Sequence, residues 1–449
     1  MTDTLPATYG LVRRLIRILL GLFYPSIEVV GREHVPDAGA LVVAANHHNS
    51  VVDAMILMAT FDRPLRVLAN APLFRHALIG PFLRAIGGLP VHRRQEAGDD
   101  PQKNRELFAA TTAALGRGGA IALFPEGRTQ PEPALQQVKT GAARMLLAAE
   151  AAQPDARVTL LPVGLVFDRP GTFRSGRALV SIGPPVETGD LRDHPAAARR
   201  LTERLAEALR AQIVEADDRA TLRLLGLAEE LWRDRDRAEA PSEADRVPWL
   251  QGAMRAYRTL QHTDPGRIAA FRRALEEFDE EADRAGLGSR RLFRRYSAGG
   301  VARFVLVEGL ALLVALPLAL VGILLHGVPY NMTTWLVRKI PHTDEEEATD
   351  KIAAGLVLYP LCWLAEGVAA YAIGRWRGVA VLLAALPLTG FFALSWYERL
   401  EFVRREARAF ESARKDRGLP QRLRARREEL GRELRALAAL DGARTGAAP

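Results

Sequence analysis

Apolar and polar positions follow two periods along this chain, and the changes from one to the other locate its elements. Leu41-Val42-Val43-Ala44-Ala45 is an uninterrupted apolar run of strand length and predicts a buried strand. From Asp53 the spacing turns helical through Met55, Ile56 and Met58. Ile121-Ala122-Leu123-Phe124 predicts a second buried strand, Gly87 to Arg94 the basic end of a third, and Ala142 to Ala149 a helix. After Leu191 the pattern becomes charged and alanine-rich, with Leu201, Leu205 and Leu209 on one helix face and Ile268, Phe271, Leu275 and Phe278 on another. Pro241 and Pro265 mark breaks between these helices.

Two further apolar patterns point to a bilayer. Leu11 to Tyr24 sets Arg13, Arg14 and Arg17 among bulky apolar residues, as in a helix lying at a membrane interface; a helix packed on a globular domain is the alternative. Arginines inside the apolar run and the lack of a small-residue cleavage site argue against a signal peptide. Residues 304–325, 353–373 and 379–396 each approach the roughly twenty residues that a spanning helix needs. The first two carry Glu308 and Glu366 with prolines close by, which suggests broken or re-entrant helices. Arg290 to Tyr296 reads as a juxtamembrane anchor, and Thr343 followed by Glu346 as a helix cap in an acidic linker.

Charge sharpens this picture. The 449 residues carry a net +8, nearly all from arginine, with no nucleic-acid module or aromatic stacking pattern, so membrane lipid rather than nucleic acid is the expected partner. Residues 399–449 hold fourteen Arg and Lys against eight Asp and Glu, which places this tail in the cytoplasm. A catalytic region on the same side needs an even number of crossings, so one of the three apolar segments is expected not to cross. Nine scattered histidines and the single Cys362 offer no metal-ligand spacing and no internal disulfide, and nothing points to an oxidising compartment.

Candidate chemistry lies at the ends of the two predicted strands. Asn46-His47-His48-Asn49-Ser50-Val51-Val52-Asp53 puts His48 at a strand-to-helix turn with Asp53 five positions on, where the carboxylate can fold back onto one imidazole nitrogen while the other takes a proton from an alcohol. Ser50 with Asp53 is also a plain capping signal. Phe124-Pro125-Glu126-Gly127-Arg128-Thr129 sets a rigid turn, an acid, a flexible glycine and a guanidinium at a strand's carboxyl end. Lys139-Thr140-Gly141 adds a cation at a helix start, and His92-Arg93-Arg94 adds basic residues at the third strand. Together they suit a phosphorylated ligand.

At these residues the chain resembles the membrane-associated acyltransferases that act on glycerol-3-phosphate and 1-acylglycerol-3-phosphate and carry an H-x4-D motif. His48 and Asp53 match the motif, with Asn46 and Ser50 fitting around it. Gly88 to Arg93, Phe124 to Gly127 and Leu161-Pro162-Val163 look like the family's later blocks, in order, over roughly residues 30 to 190. The third block continues Arg128-Thr129 where many members read Thr-Arg or Thr-Ser, and the second reads Leu89-Pro90-Val91 in place of a more aromatic run.

The resemblance implies an α/β acyltransferase core, a mixed sheet flanked by helices, followed by an α-helical domain and C-terminal membrane helices. It implies acyl transfer from acyl-CoA or acyl carrier protein, as co-substrate and without a cofactor, to a glycerol hydroxyl. His48 would be the base and Asp53 its orienting partner, with Arg93, Glu126, Gly127, Arg128, Thr129 and Lys139 at the substrate. The expected organisation is an interface helix over 1–28, the catalytic domain over 29–190, a charged helical domain over 191–300, apolar segments over 301–398 and a basic helical tail over 399–449. The catalytic domain is expected on the cytoplasmic side of an inner membrane. A membrane protein that binds lipid on the same fold without chemistry is the alternative, as is transfer to another lyso-phospholipid.

Overall fold

The computed structural model describes residues 6–24, 26–75, 79–92, 101–129, 134–153, 157–167, 177–191, 194–216, 218–233, 243–286, 298–340 and 347–445. The predicted site residue Arg93 lies outside them, as do the Arg290–Tyr296 cluster and the Thr343–Glu346 signal. The chain divides into two units, one of residues 1–223, 241–254 and 342–353 and the other of residues 224–240, 255–341 and 354–449.

The first unit is built on seven strands: β1 (Ser26–Val30), β2 (Ala40–Ala45), β3 (Leu65–Asn70), β4 (Leu89–Val91), β5 (Ala120–Leu123), β6 (Val158–Phe167) and β7 (Arg177–Ile182). Their order is β1-β7-β6-β2-β5-β3-β4, parallel throughout except between β6 and β7, so the sheet is mixed as expected. Helices α1 (Tyr9–Phe23), α2 (Ser50–Thr60) and α3 (Ile79–Ala85) cover one face, and α4 (Pro101–Gly116), α5 (Gly141–Ala152) and α6 (Ala197–Arg210) the other. Strand alternation divides the core accordingly. Leu41, Val43 and Ala45 of β2 face the first layer and Ala40, Val42 and Ala44 the second, so every β2 residue is buried.

One expectation changes here. Leu201, Leu205 and Leu209 of α6 are buried where the helix packs on α5 and β6, so this helix completes the core of the sheet unit instead of opening a separate helical domain after residue 190. On α1, Tyr9, Ile16, Leu20 and Phe23 pack into the first core while Leu11, Leu15 and Ile18 are 72%, 42% and 59% exposed. Arg13 and Arg17 turn inward. Arg13 donates to the carbonyls of Met58, Phe61 and Asp62 and Arg17 to that of Ala59, capping the orphan carbonyls that end α2.

The remaining helices are α7 (Arg219–Arg233), α8 (Glu243–Thr263), α9 (Pro265–Arg284), α10 (Ala298–Lys339), α11 (Glu347–Lys415) and α12 (Leu419–Thr445). Pro265 takes the first helical position of α9, and the Asp264 side chain accepts from the Arg267 amide. Within the second unit Leu275 and Phe278 of α9 pack with Leu423 and Leu430 of α12, and Arg267 donates to Glu433 at 2.7 Å. Arg303–Lys339 and Thr349–Lys415 are long and apolar enough to cross a membrane. The prolines inside α10 and α11 do not interrupt the helices; the break falls at Arg375, with φ 54° and ψ −145°, between the second and third apolar segments. Glu308 is paired with Arg399 at 2.6 Å.

Candidate active site

The pairing of β2 with β5 aligns Ala44 with Leu123, so the residues that follow each strand emerge side by side at one edge of the sheet. Asn46 continues β2 by side chain. Its Nδ2 donates to the Leu165 carbonyl at 2.9 Å and its Oδ1 accepts from the Leu165 amide at 2.6 Å, completing the ladder to β6 where the main chain leaves it. Asn49 donates to the Tyr24 hydroxyl at 2.7 Å, and Ser50, the first residue of α2, turns through a left-handed φ of 46°. That conformation costs a non-glycine residue roughly 1–2 kcal/mol, and the chain adopts it here beside the two histidines.

The imidazole that meets Asp53 is that of His47. Asp53 Oδ2 lies 2.9 Å from His47 Nδ1 and also accepts the amides of His48 at 2.9 Å and Asn49 at 2.8 Å. The expected contact between Asp53 and the His48 ring is therefore replaced by a contact with the His48 backbone, and the paired residues are six positions apart rather than five. Asn49, not Ser50, stands at the helix cap. Asp53 is fully buried, and three donors converging on one oxygen offset the desolvation of its charge. A carboxylate at Nδ1 holds the proton there and leaves the Nε2 lone pair available.

The second loop completes the surroundings of His47. The Phe124 ring stacks on the imidazole at 4.0 Å and 13°, and Thr129 Oγ1 lies 3.1 Å from Nε2. Glu126, expected at the substrate, is buried and both its oxygens meet the main chain: Oε1 accepts the His47 amide at 2.9 Å and Oε2 the Gln136 amide at 3.1 Å. Burial pushes its carboxyl above the ordinary value, and the nearby His48 and the two amides act in the opposite direction. Gly127 has φ 74°, and a Cβ there would stand 2.5 Å from Lys139 Nζ, so glycine is what lets this cation approach the turn. Arg128 is exposed beside them. Thus His47, Asp53, Glu126 and Thr129 form one hydrogen-bonded group, and Gly127 and Lys139 meet next to it. Phe124 as a stacking partner and Thr129 as a partner of the imidazole were not legible as such; only their place in the block after β5 was.

A polarised imidazole at the carboxyl ends of the parallel strands β2 and β5, sheltered by an aromatic ring and with a cation close by, can take a proton from an alcohol next to an anionic group. Residues 26–166 match the family model described as Acyltransferase. An uncharacterized acyltransferase of Schizosaccharomyces pombe is 24% identical over 310 residues, covering 49% of this chain and 46% of that protein. Glycerol-3-phosphate O-acyltransferase 2 of Saccharomyces cerevisiae is 28% identical over 195 residues, covering 41% and 25%. The 1-acyl-sn-glycerol-3-phosphate acyltransferase of Borreliella burgdorferi is 26% identical over 212 residues, covering 46% and 78%. The crystal structure of the 1-acyl-sn-glycerophosphate acyltransferase of Thermotoga maritima is similar at 19% identity and a TM-score of 0.35, over 45% of this chain and 78% of that one. The chain spans less than half the length of the two yeast relatives it matches. The matched stretch runs from β1 almost to the end of β6 and contains the paired His47 and Asp53, and residues 26–166 are a domain of the acyltransferase family.

Proposed function

We propose that this protein transfers a fatty acyl group from acyl-CoA or acyl carrier protein to the free glycerol hydroxyl of glycerol-3-phosphate or 1-acylglycerol-3-phosphate, with His47 as general base. The observation that carries the reading is the Asp53–His47 contact at 2.9 Å with Nε2 turned toward the loop after β5. Nε2 takes the proton of the acceptor hydroxyl as its oxygen bonds to the thioester carbonyl carbon. The C–S bond then breaks, and the thiolate leaves with the proton that the imidazolium returns. Asp53 compensates the charge on the ring, and such general-base help is worth typically 10²–10⁴-fold.

Lys139 and Arg128, joined by the sequence candidate Arg93, are assigned to the acceptor phosphate. Glu126 is assigned to the backbone of His47 rather than to the ligand, because both its oxygens meet main-chain amides. A lipid-embedded acceptor fits the exposed Leu11, Leu15 and Ile18 stripe of α1 and the two long apolar helices, which support association with a membrane. The active face and the basic tail are assigned to the cytoplasmic side, where thioester donors are found.

Membranes containing the full chain, given labelled acyl-CoA or acyl carrier protein and each acceptor in turn, test the assignment. Labelled product with one acceptor names the step. No product with any donor and acceptor pair would leave lipid binding as the function.

A further inference from the structure

The contacts of His47 end on a hydroxyl that the catalytic step does not use. Thr129 Oγ1 stands 3.1 Å from Nε2, the nitrogen opposite the one held by Asp53. With the ring proton kept on Nδ1, the proton between Thr129 and Nε2 is the hydroxyl's own, so Thr129 is the donor. It fills the hydrogen-bonding position that an incoming alcohol must take. Little space remains for anything else: Phe124 covers one face of the ring, and the His47 side chain is 16% exposed.

The same loop fixes both partners. Glu126 holds the His47 amide, and Thr129 follows it by three residues, beyond the left-handed Gly127. The separation of base and hydroxyl is therefore set by one short stretch of backbone, and Thr129 can release Nε2 by rotation about χ1 without moving that stretch.

We infer that Thr129 is a positioning residue for the acceptor alcohol: its hydroxyl occupies Nε2 of His47 in the substrate-free enzyme, keeps water from that nitrogen, and yields it when the alcohol arrives. This rests on His47 as the base. Thr129 itself forms no covalent bond; the acceptor oxygen bonds to the acyl carbon, the C–S bond breaks, and the proton passes through Nε2 to the leaving thiolate.

The test compares Thr129→Val, which keeps the shape and removes the hydroxyl, with Thr129→Ser, in the full chain in membranes. Two quantities are read: the ratio of thiol released to acylated product formed, and the acid limb of the pH profile of kcat/KM for the acceptor. In Thr129→Val water gains Nε2, so wasteful thioester hydrolysis rises relative to transfer by about 3- to 10-fold, the size of one neutral hydrogen bond. Loss of a donor to the free-base ring moves the acid limb to higher pH. Thr129→Ser restores both.

An unchanged ratio and an unchanged profile in Thr129→Val overturn the inference. So does loss of transfer by more than about 10⁴-fold with recovery in Thr129→Ser, since a loss beyond the general-base range would make the hydroxyl a reactant, and intact mass would then find an acyl adduct on the wild type. His47→Ala, run beside them, separates the two levels: retained transfer there removes the base assignment, whereas lost transfer with an indifferent Thr129→Val removes only the role of Thr129.

Discussion

Glu126 holds His47 by its main chain, Oε1 to amide nitrogen at 2.9 Å, across 79 residues of sequence. The bond joins the loop after β5 to the loop after β2, and the second oxygen ties the same carboxyl to the Gln136 amide. Because burial raises the Glu126 pKa above its ordinary 4.5, the folded state holds this proton more tightly than the unfolded chain. The stability it contributes is fully present below pH 4.5 and declines as pH rises through the raised value, by at most about 1.4 kcal/mol per pH unit. Glu126→Gln lacks this titration. The advantage of wild type over Glu126→Gln in thermal unfolding in detergent is therefore greatest near pH 4.5 and shrinks toward neutrality; a gap independent of pH would contradict the assignment.

Asn46 predicts a stability effect without a charge. Asn46→Ala strands the amide and carbonyl of Leu165 in the interior and costs about 2–4 kcal/mol. A denaturant midpoint that corresponds to a loss below about 0.5 kcal/mol would mean that the main chain re-pairs without it.

The exposed stripe of α1 predicts depth in a bilayer. In a Cys362→Ser background, a fluorophore placed by Leu15→Cys is quenched by brominated acyl chains, whereas one at Arg199 on α6, which is 75% exposed, is not. Quenching of both by aqueous iodide alone would remove α1 from the interface.

Strands β2 and β5, helix α2 and the chemistry of the loops between them were legible because each rests on local pattern: an apolar run, a change of period, a turn rich in proline and glycine. Which histidine meets Asp53 was not. Neighbouring side chains in extended chain point to opposite sides, so a difference of one residue in the turn exchanges the two rings, and this turn is decided by the left-handed Ser50 and by Glu126 far along the sequence. Thr129 came into view only through the β2–β5 register, which brings it 82 positions back to His47. The membership of α6 was hidden for a similar reason. Its periodicity announces a buried face, but what covers that face is α5 and β6, which no local pattern names.

The central claim is that His47, oriented by Asp53, is the base, and the paired variants His47→Ala and His48→Ala test it most directly. Both are measured for acyl transfer in membranes, with the preferred donor and acceptor and with equal amounts of folded protein. The account predicts that His47→Ala loses about 10²–10⁴-fold or more in kcat/KM, while His48→Ala, whose link to Asp53 through the backbone amide survives the substitution, keeps activity within about tenfold of wild type. The reverse order, an inactive His48→Ala beside an active His47→Ala, would contradict it.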